Sequence, residues 1–171
     1  MIRAGRVLSF ALAGSLASAT AGLTVGTSDR LKNVNRALEA RGYRGPLTSK
    51  EHAVAKFFPN GPVFSVTLWM TSPSGTRLRD ARQIKFTQSY CKVPGFLTAD
   101  FWPLAKTERD AFFREVIGQT PPAELDADMP TLSYDQPKDF KVPQFRKVRL
   151  TRRPMKCDIH GGDAYELDFF P

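Results

Sequence analysis

The chain has 171 residues, 42% of them hydrophobic and 25% charged, with a formal net charge of +8 and two cysteines. That length leaves room for one modest core. The absence of any repeat, heptad run or low-complexity tract excludes solenoid and coiled-coil architectures.

Residues 1–6 carry Arg3 and Arg6 and no acid, and positions 7–27 are uncharged. As a helix, that uncharged stretch reaches about 30 Å, the thickness of a bilayer's hydrocarbon core. Gly14, Ser18, Gly22 and Gly26 recur at every fourth position and form one small-residue stripe, the surface through which helices approach closely in a membrane. Three readings compete: a retained transmembrane helix, a cleaved secretory signal with small residues near Ala17, Ala19 and Ala21, and a mitochondrial presequence free of acids up to Asp29. The Gly, Ser and Thr content keeps the hydrophobicity moderate, which suits a helix seated among other helices as well as a cleaved peptide. We expect the retained helix. Arg30, Lys32, Arg36, Arg41 and Arg44 outnumber the basic residues on its other side, which by the positive-inside tendency puts the larger domain in the matrix or cytoplasm. Cys91 and Cys157 agree with a reducing compartment without demanding one, and one disulfide between them stays open if the domain faces an oxidising space.

Leu31, Val34 and Leu38 repeat at helical spacing, and Gly42 stands where that helix would stop. Thr48 and Glu51 are spaced as a capping box and predict a short helix through Phe57, ended by Pro59-Asn60-Gly61. Positions 62–71 (PVFSVTLWMT) read as a strand, 72–75 as a turn, and 83–93 (QIKFTQSYCKV) as a strand that pairs back with Ile84, Phe86 and Tyr90 on one face. Positions 107–117 predict a helix with Phe112, Phe113, Val116 and Ile117 inward, closed by Gly118. Beyond Pro121 periodicity fades. Pro130, Pro137, Pro143 and Pro154 recur among isolated phenylalanines such as Phe140 and Phe145, so 121–171 is expected to run extended over neighbouring subunits. The whole reads as α+β: a single N-terminal transmembrane helix (1–27), a small helix/β-hairpin domain (28–120) with its hairpin near 62–93, and an extended Pro-rich C-terminal region (121–171).

Charge alternates in blocks: positive up to residue 97, negative over 98–135, strongly positive over 136–156 and negative again over 157–171. Such blocks suit a chain lying against several differently charged neighbours, or they are solvated faces. Within the positive run, Lys141, Phe145, Arg146, Lys147, Arg149, Arg152 and Arg153 form a candidate docking surface for acidic protein, anionic lipid or, less favourably, RNA. Val142, Val148 and Leu150 in the same run suit an edge strand.

Signals for chemistry are weak. His52, Cys91, Cys157 and His160 could supply four metal ligands, but their spacing matches no finger or ribbon, and ordinary polar residues near Gly161-Gly162 are the better reading. Glu124, Asp126 and Asp128 would face one way in an extended chain, without the further ligands a calcium loop needs. No phosphate loop, dinucleotide fingerprint or HExxH helix is present, so we expect no cofactor, no metal and no enzyme. The organisation resembles that of the supernumerary subunits of mitochondrial inner-membrane complexes, which are small, basic, single-helix proteins with long proline-rich extensions. That resemblance implies a non-catalytic accessory subunit that helps assemble or stabilise a respiratory-chain or ATP synthase complex, with other subunits and membrane lipids as partners. The alternatives are an organellar ribosomal protein that binds rRNA through its basic tail, and a secreted or periplasmic binding module with a cleaved signal peptide.

Overall fold

The structure, a computed structural model, describes residues 31–48, 52–59, 61–71, 80–94, 98–158 and 160–171. The expected membrane helix over 1–27 and the turn over 72–75 lie outside the described residues. Among those described, no helix is long and apolar enough to cross a membrane.

Helix α1 (Leu31–Ala40) forms on the predicted stripe, burying Val34 and Leu38. Gly42, at φ +85°, takes the left-handed conformation that ends it. The chain then doubles back, and the Asn35 amide caps both the N–H and the C=O of Leu47 at 2.8 Å. The next element corrects the expected helix over 48–57: His52–Phe57 is a strand, β1. The capping-box spacing is a local signal worth little over one short turn. Pairing residues 52–57 onto the neighbouring strand satisfies their backbone groups and buries Val54. Strands β2 (Val63–Met70) and β3 (Ala81–Cys91) then make the expected antiparallel hairpin.

Helix α2 (Thr98–Ala111) starts nine residues before the predicted position and carries Pro103 inside it. It continues into a π-helical segment, Phe112–Ile117, closed by Gly118 at φ +73°, as expected. The wider turn reduces the angle between successive side chains, so Phe112 and Phe113 both point into the core. Phe112 lies 4.5 Å from Phe86, and Phe113 lies 5.3 Å from Phe169, between ring centroids.

The region beyond Pro121, expected to run extended, folds instead. It forms helix α3 (Glu124–Thr131), a short strand β4 (Lys138–Phe140), β5 (Lys147–Met155) and β6 (Gly162–Phe170). These join one six-stranded antiparallel sheet in the order β1-β2-β3-β6-β5-β4. The last strand thus lies beside β3, and the 28–120 and 121–171 segments share one core. The prolines do not prevent this half from folding: Pro137 and Pro143 lie in connections, Pro130 falls near the end of α3, and Pro154 stands next to the last residue of β5, opposite Asp163.

One sheet face carries the core beneath α2, and its rows can be read across the register. Val66, Phe86, Leu167 and Leu150 form one row, and Leu68, Ile84, Phe169 and Val148 another, all buried. The row beyond Val66 is mixed: Phe64, Gln88, Tyr165 and Arg152. The next places Tyr90 opposite Asp163. Polarity therefore rises toward one end of the covered face. The opposite face carries a ladder of alternating sign, Lys85, Asp168, Arg149 and Asp139, on consecutive strands.

Candidate binding site

At the polar end, Asp163 sits on the core face of β6 and is fully buried, which for a lone carboxylate costs several kcal/mol. Four donors offset that cost. Tyr90 donates its hydroxyl at 3.1 Å and Tyr134 at 2.5 Å. Arg152 donates Nε at 3.3 Å and Nη2 at 3.2 Å, one to each carboxylate oxygen. Lys92 stands 3.7 Å away. Burial pushes the Asp163 carboxyl up, but the bonds from Tyr134 and Arg152 outweigh it and hold the group below the usual carboxylate range. The bond to Asp163 holds the Tyr134 phenol above its ordinary value, and burial does the same for Tyr165. Protons here stay fixed across the neutral range, because the acid is held down and the phenols up. General acid–base work needs the opposite, a group poised near the working pH.

The Arg152 guanidinium also donates Nη1 to the Leu132 carbonyl at 3.0 Å, and its centre lies 4.3 Å from the Tyr134 ring and 5.6 Å from the Tyr165 ring. Tyr165 in turn meets Trp102 edge-on at 5.1 Å, and Trp102 meets Phe101 at 5.1 Å. Trp102 is thereby fixed from two sides and forms the wall of a cavity of about 370 Å³ between α2 and α3. Pro103, Ala105, Met129 and Pro130 supply most of the remaining wall, and Lys106, Arg109 and Asp126 the charged part.

Arg109 is almost wholly buried. Its Nε and Nη2 donate to Asp110 at 3.1 and 2.8 Å, and Nη2 also to Asp126, while Nη1 meets the Met129 thioether at 3.2 Å. Lys106 bonds Asp110 at 3.1 Å and Asp126 at 2.5 Å. Asp126 is held below its ordinary value because the bonds from Lys106 and Arg109 outweigh the effect of burial. The cavity therefore pairs rigid apolar walls with balanced charges, an arrangement suited to holding a ligand.

The predicted docking residues do not form one patch. Strand alternation puts Lys147, Arg149 and Arg153 on the open face of β5 and Arg152 on the covered face. Arg149 makes a bidentate pair with Asp139 at 2.7 and 3.0 Å, and Arg153 bonds Glu166 at 3.1 Å. Lys147 lies over the Phe170 ring at 4.9 Å. Phe145 is half-buried against Phe169 at 5.3 Å, so its pocket comes from its own chain. Lys141 and Arg146 are exposed in the β4–β5 connection. Gly14, Ser18, Gly22 and Gly26 lie outside the described residues. Cys91 and Cys157, weighed as metal ligands, are joined by a disulfide with Cα atoms 5.6 Å apart. Glu124, Asp126 and Asp128 lie on α3 rather than in an extended loop, with Asp128 paired to Lys138 at 2.6 Å.

Sequence reasoning missed Trp102, Arg109, Met129, Tyr134, Asp163 and Tyr165 as a group. One signal was present: in GDAYELDFF, alternation places Asp163 in line with Tyr165, Leu167 and Phe169, a carboxylate on an otherwise apolar face. The other residues converge only through tertiary structure. Compared with known proteins, the chain matches no family model, no curated protein and no solved structure.

Proposed function

We propose that the chain is a non-catalytic binding module that works in an oxidising compartment, on the secreted or periplasmic side of a membrane, with the cavity beside Trp102 as its binding site. The observation that carries this reading is the Cys91–Cys157 disulfide. Such bonds persist in secreted and periplasmic proteins and are rare where glutathione and thioredoxin keep thiols reduced. The fold makes room for this one: a Cβ on Gly162 would stand 2.9 Å from the Cys157 sulfur. In this reading the basic residues 1–6 and the uncharged stretch 7–27 together form an export signal. The ionised groups at the cavity are tied to one another, which supports holding a ligand over turning it over.

The accessory-subunit reading keeps one observation of its own, the Gly14, Ser18, Gly22, Gly26 stripe, which suits a helix seated in a membrane complex. Its other support, the alternating charge blocks, has an explanation inside the fold. The 136–156 and 157–171 blocks face each other as β5 and β6, where Arg152 bonds Asp163 and Arg153 bonds Glu166. The same pairing leaves the rRNA reading little free charge on β5.

Intact-mass analysis of the protein from its native host, with alkylation of free thiols, separates these readings. The expected result is a chain beginning within residues 20–29 with neither cysteine alkylated. A chain retaining residues 1–27, comigrating with a membrane complex and carrying two reactive thiols, would overturn the proposal in favour of the accessory subunit.

A further inference from the structure

We infer that the cavity between α2 and α3 takes a small aromatic ligand bearing a neutral oxygen acceptor, an aromatic amide or ketone, with its ring on Trp102 and its oxygen accepting from Arg109 Nη1. This rests on the reading of that cavity as the binding site and adds the class of ligand.

Shape and size set the first part. A cavity of about 370 Å³ is at the small end of ligand sites and suits a single ring. Trp102 is locked by Phe101 and Tyr165, so a ring stacked on it meets a surface already ordered. Pro103 and Pro130 add rigid apolar wall. Met129 is unbranched and polarizable, and it makes favourable sulfur–aromatic contacts.

The acceptor follows from Arg109. Three of its hydrogen bonds go from Nε and Nη2 to carboxylates. Nη1 meets only the Met129 sulfur, which is a weak acceptor for a guanidinium buried this deeply. A carbonyl oxygen reaching Nη1 replaces that contact with a full-strength bond.

Neutrality follows from the surrounding charge. Lys106 and Arg109 are already matched by Asp110 and Asp126. A ligand carboxylate would bring a third negative charge beside these two, whereas an amide or ketone accepts without that repulsion.

The test uses the full chain, isotopically labelled, titrated with benzamide, sodium benzoate and benzene and followed by the indole N–H of Trp102 and the Nε–H of Arg109. Trp69, on the open sheet face, is the internal control. Benzamide should shift both Trp102 and Arg109 saturably, leave Trp69 still, and bind about tenfold more tightly than either other probe. Trp102 is only half-buried, so Trp102→Ala should fold and lose about tenfold or more of the benzamide affinity. Benzoate or benzene binding at Trp102 as well as benzamide would overturn the ligand class and keep the cavity as a binding site. No saturable shift from any probe would overturn both, and the compartment reading would still stand on its own mass measurement.

Discussion

A carboxylate on the covered face of a sheet has to be neutralised from several directions, and Asp163 draws its partners from β3, β5 and the chain after α3. Removing one partner leaves a buried charge underpaired, so Arg152→Ala should cost about 3–5 kcal/mol in urea unfolding. Arg149→Ala breaks a pair exposed to water, with side chains 37% and 47% accessible, and should cost under about 1 kcal/mol. The pH dependence has a definite sign. Asp163 is held below its ordinary value in the folded chain, so the unfolded chain binds the proton more readily. Its contribution is complete above the unfolded carboxylate pKa, about 3.9, and is lost as pH falls below that through the folded value. Unfolding measured from pH 6 down to pH 2 should show this loss, and Asp163→Asn, though less stable at pH 6, should flatten the curve. Gly162 beside it faces a different constraint. A Cβ there would stand 2.3 Å from the Tyr90 carbonyl oxygen, which is fixed strand backbone. Gly162→Ala should therefore cost about 1–3 kcal/mol through forced displacement of β3 from β6.

Elements were legible in proportion to how far their determinants are local. Helix α1 and the β2–β3 hairpin each carry their own apolar pattern, and both form where that pattern puts them. Strand β1 carries only Val54 and Phe57 as large apolar residues, and it becomes a strand because β2 offers an edge. The first turns of α2 lie ahead of the expected 107–117 helix and contain Pro103, a residue that weakens any local helical signal there. Val148 and Leu150 hinted at an edge strand where β5 forms, but β6 and its pairing with β5 were hidden for a different reason: their residues were read as charge blocks, when opposite charges on adjacent segments are also the cross-strand pairs of a hairpin. The disulfide joins the end of β3 to the residue two beyond β5, closing a loop of 66 residues. In the chain-entropy account such a closure is worth about 4 kcal/mol. Reduction, or Cys91→Ser with Cys157→Ser, should lower the thermal midpoint by on the order of 10 °C with the fold retained. Circular dichroism melts with and without reductant check this, and unchanged midpoints would mean that the bond constrains nothing.

At the scale of the whole molecule, the placement of β6 decides what can fold alone. The expected division into a 28–120 domain and a separate tail would leave a self-sufficient first part. In the structure, that part would lose the strand beside β3, along with Tyr165, Leu167 and Phe169 from the core beneath α2. The Phe112 and Phe113 rings, 5.7 and 5.3 Å from Phe169, would face water on that side, as would the free edge of β3. Each of those large apolar side chains is worth about 1.5–3 kcal/mol when buried, so losing several is comparable with the whole margin of an ordinary domain. A chain ending at Gln119 should therefore show no cooperative unfolding transition and should bind a hydrophobic dye. Supplying 121–171 as a separate polypeptide should restore the transition, because the missing half brings both the strand and its charges. A cooperative transition in the shortened chain by itself would return the 28–120 unit to a domain in its own right and make the C-terminal half an appendage.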